Sequence, residues 1–359
     1  MGIFSNLFSF GQKKRASDRV VGIDVGSSSI KVVEVQDRSG VLTLTTYGEL
    51  QLGPYGGKDI GEIVTLDPKK EQQALIDILR ESAVKTRQAV LAIPLASSFI
   101  TTISLAAEPD EDISPRVRVE ARKYIPAQIS EVTLDWAEID TGVDAKEKRS
   151  RNVLVAAIEN EAMRRFNTLM EFADFGVQPT EIECFSAIRA LFKEEETNQV
   201  IVDIGAASSK LYIVKQGLLR RMHRVRAGGN IATKRIATIL GVSFAEAETL
   251  KRDLKAAGES VGDIKRAHQS CYERAFVEFR QAINDYEQTR GEKIDAVYLC
   301  GGGALFAGLD KQLKDALACE VRAANPFQKV AYPAFMEDTM LELGRSFAVS
   351  LGAALRRFE

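Results

Sequence analysis

Cysteine and histidine are scarce here: of 359 residues, four are cysteines and two are histidines. Cys184, Cys271, Cys300 and Cys319 show no paired spacing. That excludes a disulfide framework and, with only His223 and His268 to help them, a zinc framework. A reducing cytoplasm fits this usage. Charge of one sign is also missing: the net charge is −2, without the basic excess of a general nucleic-acid binder. No run reaches the ~18 apolar residues of a membrane-spanning helix. The opening, MGIFSNLFSFGQKKR, places its charges after its apolar residues, the reverse of a secretory signal. Ile3, Phe4, Leu7 and Phe8 do share one helical face ahead of Lys13, Lys14 and Arg15. Two readings stay open for them: an interfacial anchor or partner tag, and a terminus that packs only locally.

What is present is material for a large core. Hydrophobic residues make up 45% and charged ones 27%, the balance of an ordinary globular protein, and the length predicts two or more domains. Residues 20–35, VVGIDVGSSSIKVVEV, predict two β-branched strands joined by a tight turn. Asp24, Gly26, Ser27, Ser28, Ser29 and Lys31 then form a hairpin whose backbone N–H groups can converge on phosphate oxygens. Lys31 returns along the second strand, placed to neutralise them. A solvent-facing turn uses the same residue types, and no GxxxxGK[ST] occurs.

The pattern recurs at residues 199–214, QVIVDIGAASSKLYIV, without gaps. Asp203 falls on Asp24, Gly205 on Gly26, Ser208 on Ser29 and Lys210 on Lys31. Duplication of a whole domain is the expectation. Two such hairpins facing across a cleft can clamp the tail of one nucleotide, with Asp24 and Asp203 beside a Mg²⁺ and reaching it through its waters. Residues 97–176 change character, with a strand, a polar helix, further strands and a helix, and predict an inserted α+β module. Gly228-Gly229 precedes a helix, and Ser243–Glu246 is a capping box. Glu248 and Lys251 share a helix face, either as a surface ion pair or as groups facing a nucleoside. A long helix is expected over 264–289. A buried strand at 296–300 runs into Gly301-Gly302-Gly303, either an ordinary strand-to-helix turn or a flat surface for a base or its sugar. A small-residue helix is expected over 344–357.

These elements, in this order, resemble the actin-like ATPase superfamily, which includes actin, the heat-shock 70 chaperones, sugar kinases and FtsA. GIDVGSSSIK looks like its first phosphate motif, VDIGAASSK its second, VYLCGGGALFAGL its adenosine motif and GRSFAVSLGAAL its terminal connecting helix. The insertion, with EARKYIPAQISEVTLDWAEID, is similar to the PilM family of type IV pilus assembly proteins. FtsA chains normally end in an amphipathic helix after a linker, whereas this sequence ends LRRFE.

The resemblance implies an α/β protein with the actin-like ATPase fold: two duplicated ribonuclease H-like domains around a nucleotide cleft, plus the inserted α+β module. The expected division is 1–96 and 177–197 for the first domain, 97–176 for the insertion, 198–343 for the second domain and 344–359 for the terminal helix. Within the second domain, 226–290 is expected to be a helical subdomain. The implied cofactors are ATP and Mg²⁺. Asp24 and Asp203 would be the catalytic and magnesium-facing carboxylates, with Glu183 near an attacking water. Gly26, Ser27, Ser28, Ser29, Lys31, Gly205, Ala206, Ser208 and Lys210 would surround the phosphates. Gly228, Gly229, Gly301, Gly302 and Gly303 would border the nucleoside. Glu248 would accept from the ribose hydroxyls, and Lys251 would border the base.

The implied partner is the cytoplasmic N-terminal peptide of a PilN-like inner-membrane protein. Residues 99–136 would hold it, with Arg118, Arg122 and Tyr124 as candidate contacts. Other pilus platform components and self-association are further expectations. The protein would sit in the cytoplasm at the inner face of the inner membrane, attached through its partner. Neither phosphate loop offers a strong base, so ATP binding with at most slow hydrolysis is expected. One rival is an FtsA-like protein that polymerises on ATP. Another is a phosphotransferase of the sugar or acetate kinase type. That rival needs a catalytic aspartate near the second hairpin, where only Ala206, Ala207, Ser208 and Ser209 follow.

Overall fold

Each β-branched run becomes a strand, and each hairpin, Asp24-Val25-Gly26 and Asp203-Ile204-Gly205 at its turn, founds its own sheet. The computed structural model describes residues 18–108, 111–143, 149–175, 179–192 and 197–359. The apolar face at Ile3, Phe4, Leu7 and Phe8 lies outside the described residues. β1 (Arg19–Val25), β2 (Ser29–Arg38) and β3 (Val41–Gln51) form an antiparallel meander. Then α1 (Pro68–Glu81), started by the Asp67 cap, leads to β4 (Ala89–Ile93), parallel to β1. The insertion follows: β5 (Ser98–Ala106), α2 (Ser114–Ala121), β6 (Val132–Val143), β7 (Arg149–Glu159) and α3 (Asn160–Phe172). Its three strands make a separate sheet in the order β5-β7-β6. Ile103, Val117, Leu134, Val153 and Val155 give that sheet and α2 a core of their own. The chain returns through β8 (Thr180–Ile182), parallel to β4, and α4 (Glu183–Leu191).

The second half repeats the scheme. β9 (Asn198–Ile204), β10 (Ser209–Lys215) and β11 (Leu218–Val225) form its meander. Three helices follow: α5 (Gly229–Leu240), α6 (Phe244–Arg252) and α7 (Val261–Arg290). β12 (Ala296–Cys300) lies parallel to β9, α8 (Leu309–Leu317) crosses over, and β13 (Val321–Ala323) closes the sheet. The two five-stranded sheets have the same order, β3-β2-β1-β4-β8 and β11-β10-β9-β12-β13. Among the described residues, no helix is long and apolar enough to cross a membrane.

Some boundaries depart from expectation. β3 runs as far as Gln51 because β2 offers a partner all the way to Ser29. After it, Gly53–Gly56 forms a 3-10 turn. The terminal helix is preceded by α9 (Glu337–Leu343) and a 3-10 turn at Gly344–Phe347, and is itself α10 (Ala348–Leu355).

Every residue of α10 is buried, which its small side chains permit. A Cβ on Gly352 would lie 1.8 Å from the Ser186 carbonyl oxygen of α4, and one on Gly22 of β1 would lie 1.9 Å from the Ser350 carbonyl oxygen. Backbone thus meets backbone on both faces of α10, and neither neighbour can yield by a rotamer change. We expect Gly352→Ala to cost roughly 3 kcal/mol, the upper end of overpacking penalties, read as a lowered unfolding midpoint in urea.

Candidate functional site

The two hairpin turns close alike. Gly26 N–H donates to the Ser29 carbonyl at 2.9 Å, and Gly205 N–H donates to the Ser208 carbonyl at 3.0 Å. In register, Asp24 stands opposite Lys31, and Asp203 opposite Lys210. The two lysines nevertheless differ. Lys31 Nζ donates to Ser29 Oγ at 2.9 Å and pairs with Glu49 of β3 at 3.2 Å. Lys210 Nζ pairs with its own Asp203 at 3.1 Å and crosses to Glu183 of the first half at 2.8 Å. Glu183 is buried, and its other oxygen accepts from the Leu95 N–H at 2.7 Å. Burial works against the Lys210 ammonium, but Asp203 and Glu183 outweigh it and hold its pKa above the ordinary lysine value. Both lysines expected at the phosphates are thus engaged with carboxylates.

Asp24 shares this charged knot. Desolvation pushes its carboxyl up to about 6; Lys31 and Lys210 oppose the rise, and Glu183 and Asp203 reinforce it. Asp203 is boxed in by the glycine turn, since a Cβ on Gly301 would lie 2.3 Å from its Oδ1. Gly303 packs as closely on Ile204, whereas Gly302 faces open space. Arg345, just ahead of α10, pins that turn: its carbonyl accepts from Gly301 N–H at 2.9 Å, and its Nη1 donates to the Ala304 carbonyl at 3.0 Å.

Gly228 and Gly229 lie on the second hairpin. Gly229 N–H donates to the Gly205 carbonyl and Asn230 N–H to the Ala206 carbonyl, each at 3.0 Å. A Cβ on Gly228 would lie 2.4 Å from the Ala206 oxygen. Ser208 is buried and accepts from Arg224 Nε at 3.3 Å. Ser27 offers its carbonyl to Val64 N–H at 3.1 Å.

Glu248 accepts from Thr233 Oγ1 and Lys251 Nζ at 2.6 Å each, and from Arg252 Nε at 2.7 Å. Burial opposes its charge, but Lys251, Thr233 and Arg252 prevail and hold the carboxyl below the usual range. Gly61 comes over from the first half, at φ +85°, so close that a Cβ there would lie 2.6 Å from the Glu248 carboxyl carbon. Asn230 Nδ2 donates to the Gly61 carbonyl at 3.4 Å. The halves therefore touch through Lys210, which does not line the cavity described next, and through Gly61, which does.

Gly61 and Glu248 border a cavity of about 520 Å³, within the range of small-molecule sites; Asp24, Gly26, Ser27, Glu183, Asp203, Ser208, Lys210, Gly228 and Gly301 are not among its lining residues. Ser28, Ser29, Lys31, Gly205, Ala206, Gly229, Glu248, Lys251, Gly302 and Gly303 all line it. The structure thus gathers both hairpins, the helix-borne Glu248 and the glycine turn around one space. The sequence reading missed Glu49, Asn230, Arg252, His268, Tyr272, Phe306 and Arg345. Asn230 directly follows Gly228-Gly229 and Arg345 lies in GRSF, so those two had a signal. Among the described residues, no group of three or more His, Cys, Asp or Glu side chains could hold a metal on its own. On the insertion, Arg118, Arg122 and Tyr124 are exposed; Tyr124 shows 53% of its surface, and Val119 of α2 shows 61%.

Comparison with known proteins agrees with this architecture. The chain superposes on a solved PilM–PilN type IV pilus biogenesis complex with a TM-score of 0.80 and 25% identity, covering 96% of this chain and all of that one. MreB5 of Spiroplasma citri bound to ADP superposes with a TM-score of 0.53 at 14% identity, covering 94% of this chain and 95% of that one, a likeness of fold. The cell division protein FtsA of Enterococcus faecalis is 21% identical over 254 residues, 64% of this chain. That match spans only 57% of the FtsA length. The fold is that of the actin-like ATPases, as expected. The model of the type IV pilus assembly protein PilM matches residues 22–358, and the chain belongs to that family.

Proposed function

We propose that this chain binds Mg-ATP in the cleft between its two sheets and holds the cytoplasmic N-terminal peptide of a PilN-like membrane protein on its inserted module. It would thus serve as a nucleotide-responsive adaptor at the inner face of the pilus assembly platform. One observation carries the reading: Lys210 of the second phosphate hairpin is bonded to Glu183 of the first half, and both hairpins line one cavity through Ser28, Ser29, Lys31, Gly205 and Ala206. A triphosphate reaching Lys210 would compete for one of the cations that bond across the halves, Lys329 being another. Binding then acts on their relative position to the extent that it favours one arrangement over another. Support for the partner comes from the likeness to a PilM–PilN complex, and support for the nucleotide from the ADP-bound relative of the same fold.

The residues present fit a magnesium ion held chiefly by phosphate and water. Asp24 and Asp203 stand one residue before the ends of the equivalent strands β1 and β9, too few to cage the ion but suited to its hydration shell. Bound there, the ion would neutralise phosphate charge. Both Glu183 oxygens already carry hydrogen bonds, from Leu95 and Lys210, so this carboxylate is a poor general base and rapid hydrolysis is not implied.

The test is capture of a synthetic PilN-like N-terminal peptide, with and without Mg-ATP. We expect binding that changes at least several-fold with nucleotide. Binding that survives deletion of residues 97–176 would move the contact off the insertion, and equal capture in both conditions would remove the linkage. The FtsA match supports a second reading, a filament former. ATP-dependent pelleting of the purified chain would favour it.

A further inference from the structure

The insertion is tied to both halves of the chain, by unlike means. It leaves β4 and returns at β8, both strands of the first sheet. Arg165 of α3 donates from two nitrogens to the buried Glu71 carboxylate of α1, and Phe166, Leu169 and Met170 share a core with Ile23 and Leu91. The insertion therefore moves with the first half. Toward the second half the contact falls on two irregular points of the ladders. On β11, Arg221 stands opposite Ile213 and Leu219 opposite Val214, so Arg220 is the extra residue of a bulge. On β6, Glu138 stands opposite Val153 and Asp140 opposite Asn152, so Ile139 is the extra residue of another. These two residues meet. Arg220 Nη1 donates to the Ile139 carbonyl at 2.6 Å, and the residues are 8% and 7% exposed. The carbonyl of Arg220 also accepts from Thr102 Oγ1 of β5 at 3.3 Å. One residue of the second half thus holds both edge strands of the insertion's sheet, whose order is β5-β7-β6.

We propose that the Arg220–Ile139 contact couples nucleotide to partner: made in one arrangement of the halves and broken in another, it passes a shift of the second phosphate hairpin to the insertion. This rests on the adaptor reading and adds the residue through which the response travels. A bulge re-aims its extra residue out of the ladder, which lets a carbonyl of one sheet face a guanidinium of another. β11 also serves the hairpin directly, since it pairs with β10, which carries Lys210, and its Arg224 donates to Ser208 Oγ at 3.3 Å. A displacement of one half against the other is then taken up between β11 and the insertion. There is room for it. Ile139 and Leu154 share a core with Val214 and Leu219, yet a cavity of about 320 Å³ lies beside the bond, lined by Thr101, Thr102, Leu154, Arg220, Met222 and Tyr286 among others. A buried guanidinium is costly to strand, so the contact is made or lost rather than stretched. Arg220 acts here as a positioning residue, away from the nucleotide cavity.

The test measures the affinity of a synthetic PilN-like N-terminal peptide for the full chain, with and without Mg-ATP, in the parent, Arg220→Met and Thr102→Val. The several-fold effect of nucleotide in the parent is expected to fall to near unity in Arg220→Met. Mg-ATP affinity in the absence of peptide is expected to stay within a few-fold of the parent's, which a general loss of structure would not allow. Thr102→Val keeps the side-chain volume and removes the hydroxyl donor, so it is expected to fold and to lose part of the nucleotide effect. It decides the matter if Arg220→Met does not fold. An undiminished nucleotide effect in Arg220→Met, or in Thr102→Val where that variant decides, would overturn the proposal and leave the adaptor reading standing. A many-fold loss of Mg-ATP affinity in Arg220→Met without peptide would also overturn it, by making Arg220 a support of the nucleotide half itself. A parent chain whose peptide affinity ignores nucleotide would overturn the adaptor reading, and this proposal with it.

Discussion

Lys210→Met is expected to destabilise the chain by about 3–5 kcal/mol, the cost of breaking a buried ion pair from one side. Lys210 is only 12% exposed at its side chain, and its partners Glu183 and Asp203 are 9% and 8% exposed. Removing the ammonium leaves two carboxylates facing each other with little water, next to Asp24. The methionine keeps most of the volume, so packing loss contributes little. Charge balance supplies the control. Adding Glu183→Gln to Lys210→Met restores the parent's net charge at this point, and the double variant is expected to recover a substantial part of the loss. Urea unfolding of the four proteins in the cycle reads the coupling directly. If the double variant is as unstable as the sum of the singles, the pair is not the joint between the halves.

That joint was invisible in the sequence. Asp24 and Asp203, the glycine turns and the serines are local patterns: a hydrophobic strand ending in aspartate and followed by small residues reads as a tight hairpin, and its second copy is what points to phosphate. The repeat of that pattern made the duplication legible, and the two matching sheet orders follow from it. Glu183 pairing with Lys210 depends on how two halves meet, which no local pattern encodes. The same holds for Glu49, which neutralises Lys31 from β3 and breaks the symmetry of the two hairpins. His268 and Tyr272 were hidden for a different reason. On α7 they stand beside the apolar stripe of Cys271, Ala275 and Phe279, where an aromatic reads as core. Only their place on the wall of the cavity distinguishes them from packing, and a sequence does not show where a cavity lies. Glu248 and Lys251 were read correctly as sharing a helix face, but the carboxylate is also bonded to Thr233 and Arg252. The ion-pair and nucleoside readings of that pair are therefore not alternatives, since the residues that bond one another also line the cavity.

Asp24→Asn is expected to weaken Mg-ATP binding and to strengthen the nucleotide-free fold, with a pH signature that separates the two effects. In the folded chain the Asp24 carboxyl sits at about 6, raised chiefly by desolvation, against an ordinary value of 3.8. A raised folded value means that the stability contributed by this group is fully present below pH 3.8 and is lost as pH rises through about 6. Above that, the folded chain carries a charge it solvates poorly. Asparagine carries none, so the variant should match the parent near pH 4 and exceed it by on the order of 1–2 kcal/mol at pH 7, after allowance for the partial exposure of Asp24. Thermal unfolding at the two pH values, without nucleotide, measures this. Calorimetry at pH 7 should then show Mg-ATP affinity reduced roughly 10–100-fold, the usual cost of losing a group that orients a metal's shell. Unchanged affinity would remove Asp24 from the nucleotide site. A stability gain equal at both pH values would mean that Asp24 is not held protonated by its surroundings, and the charged knot around Lys210 would need another account.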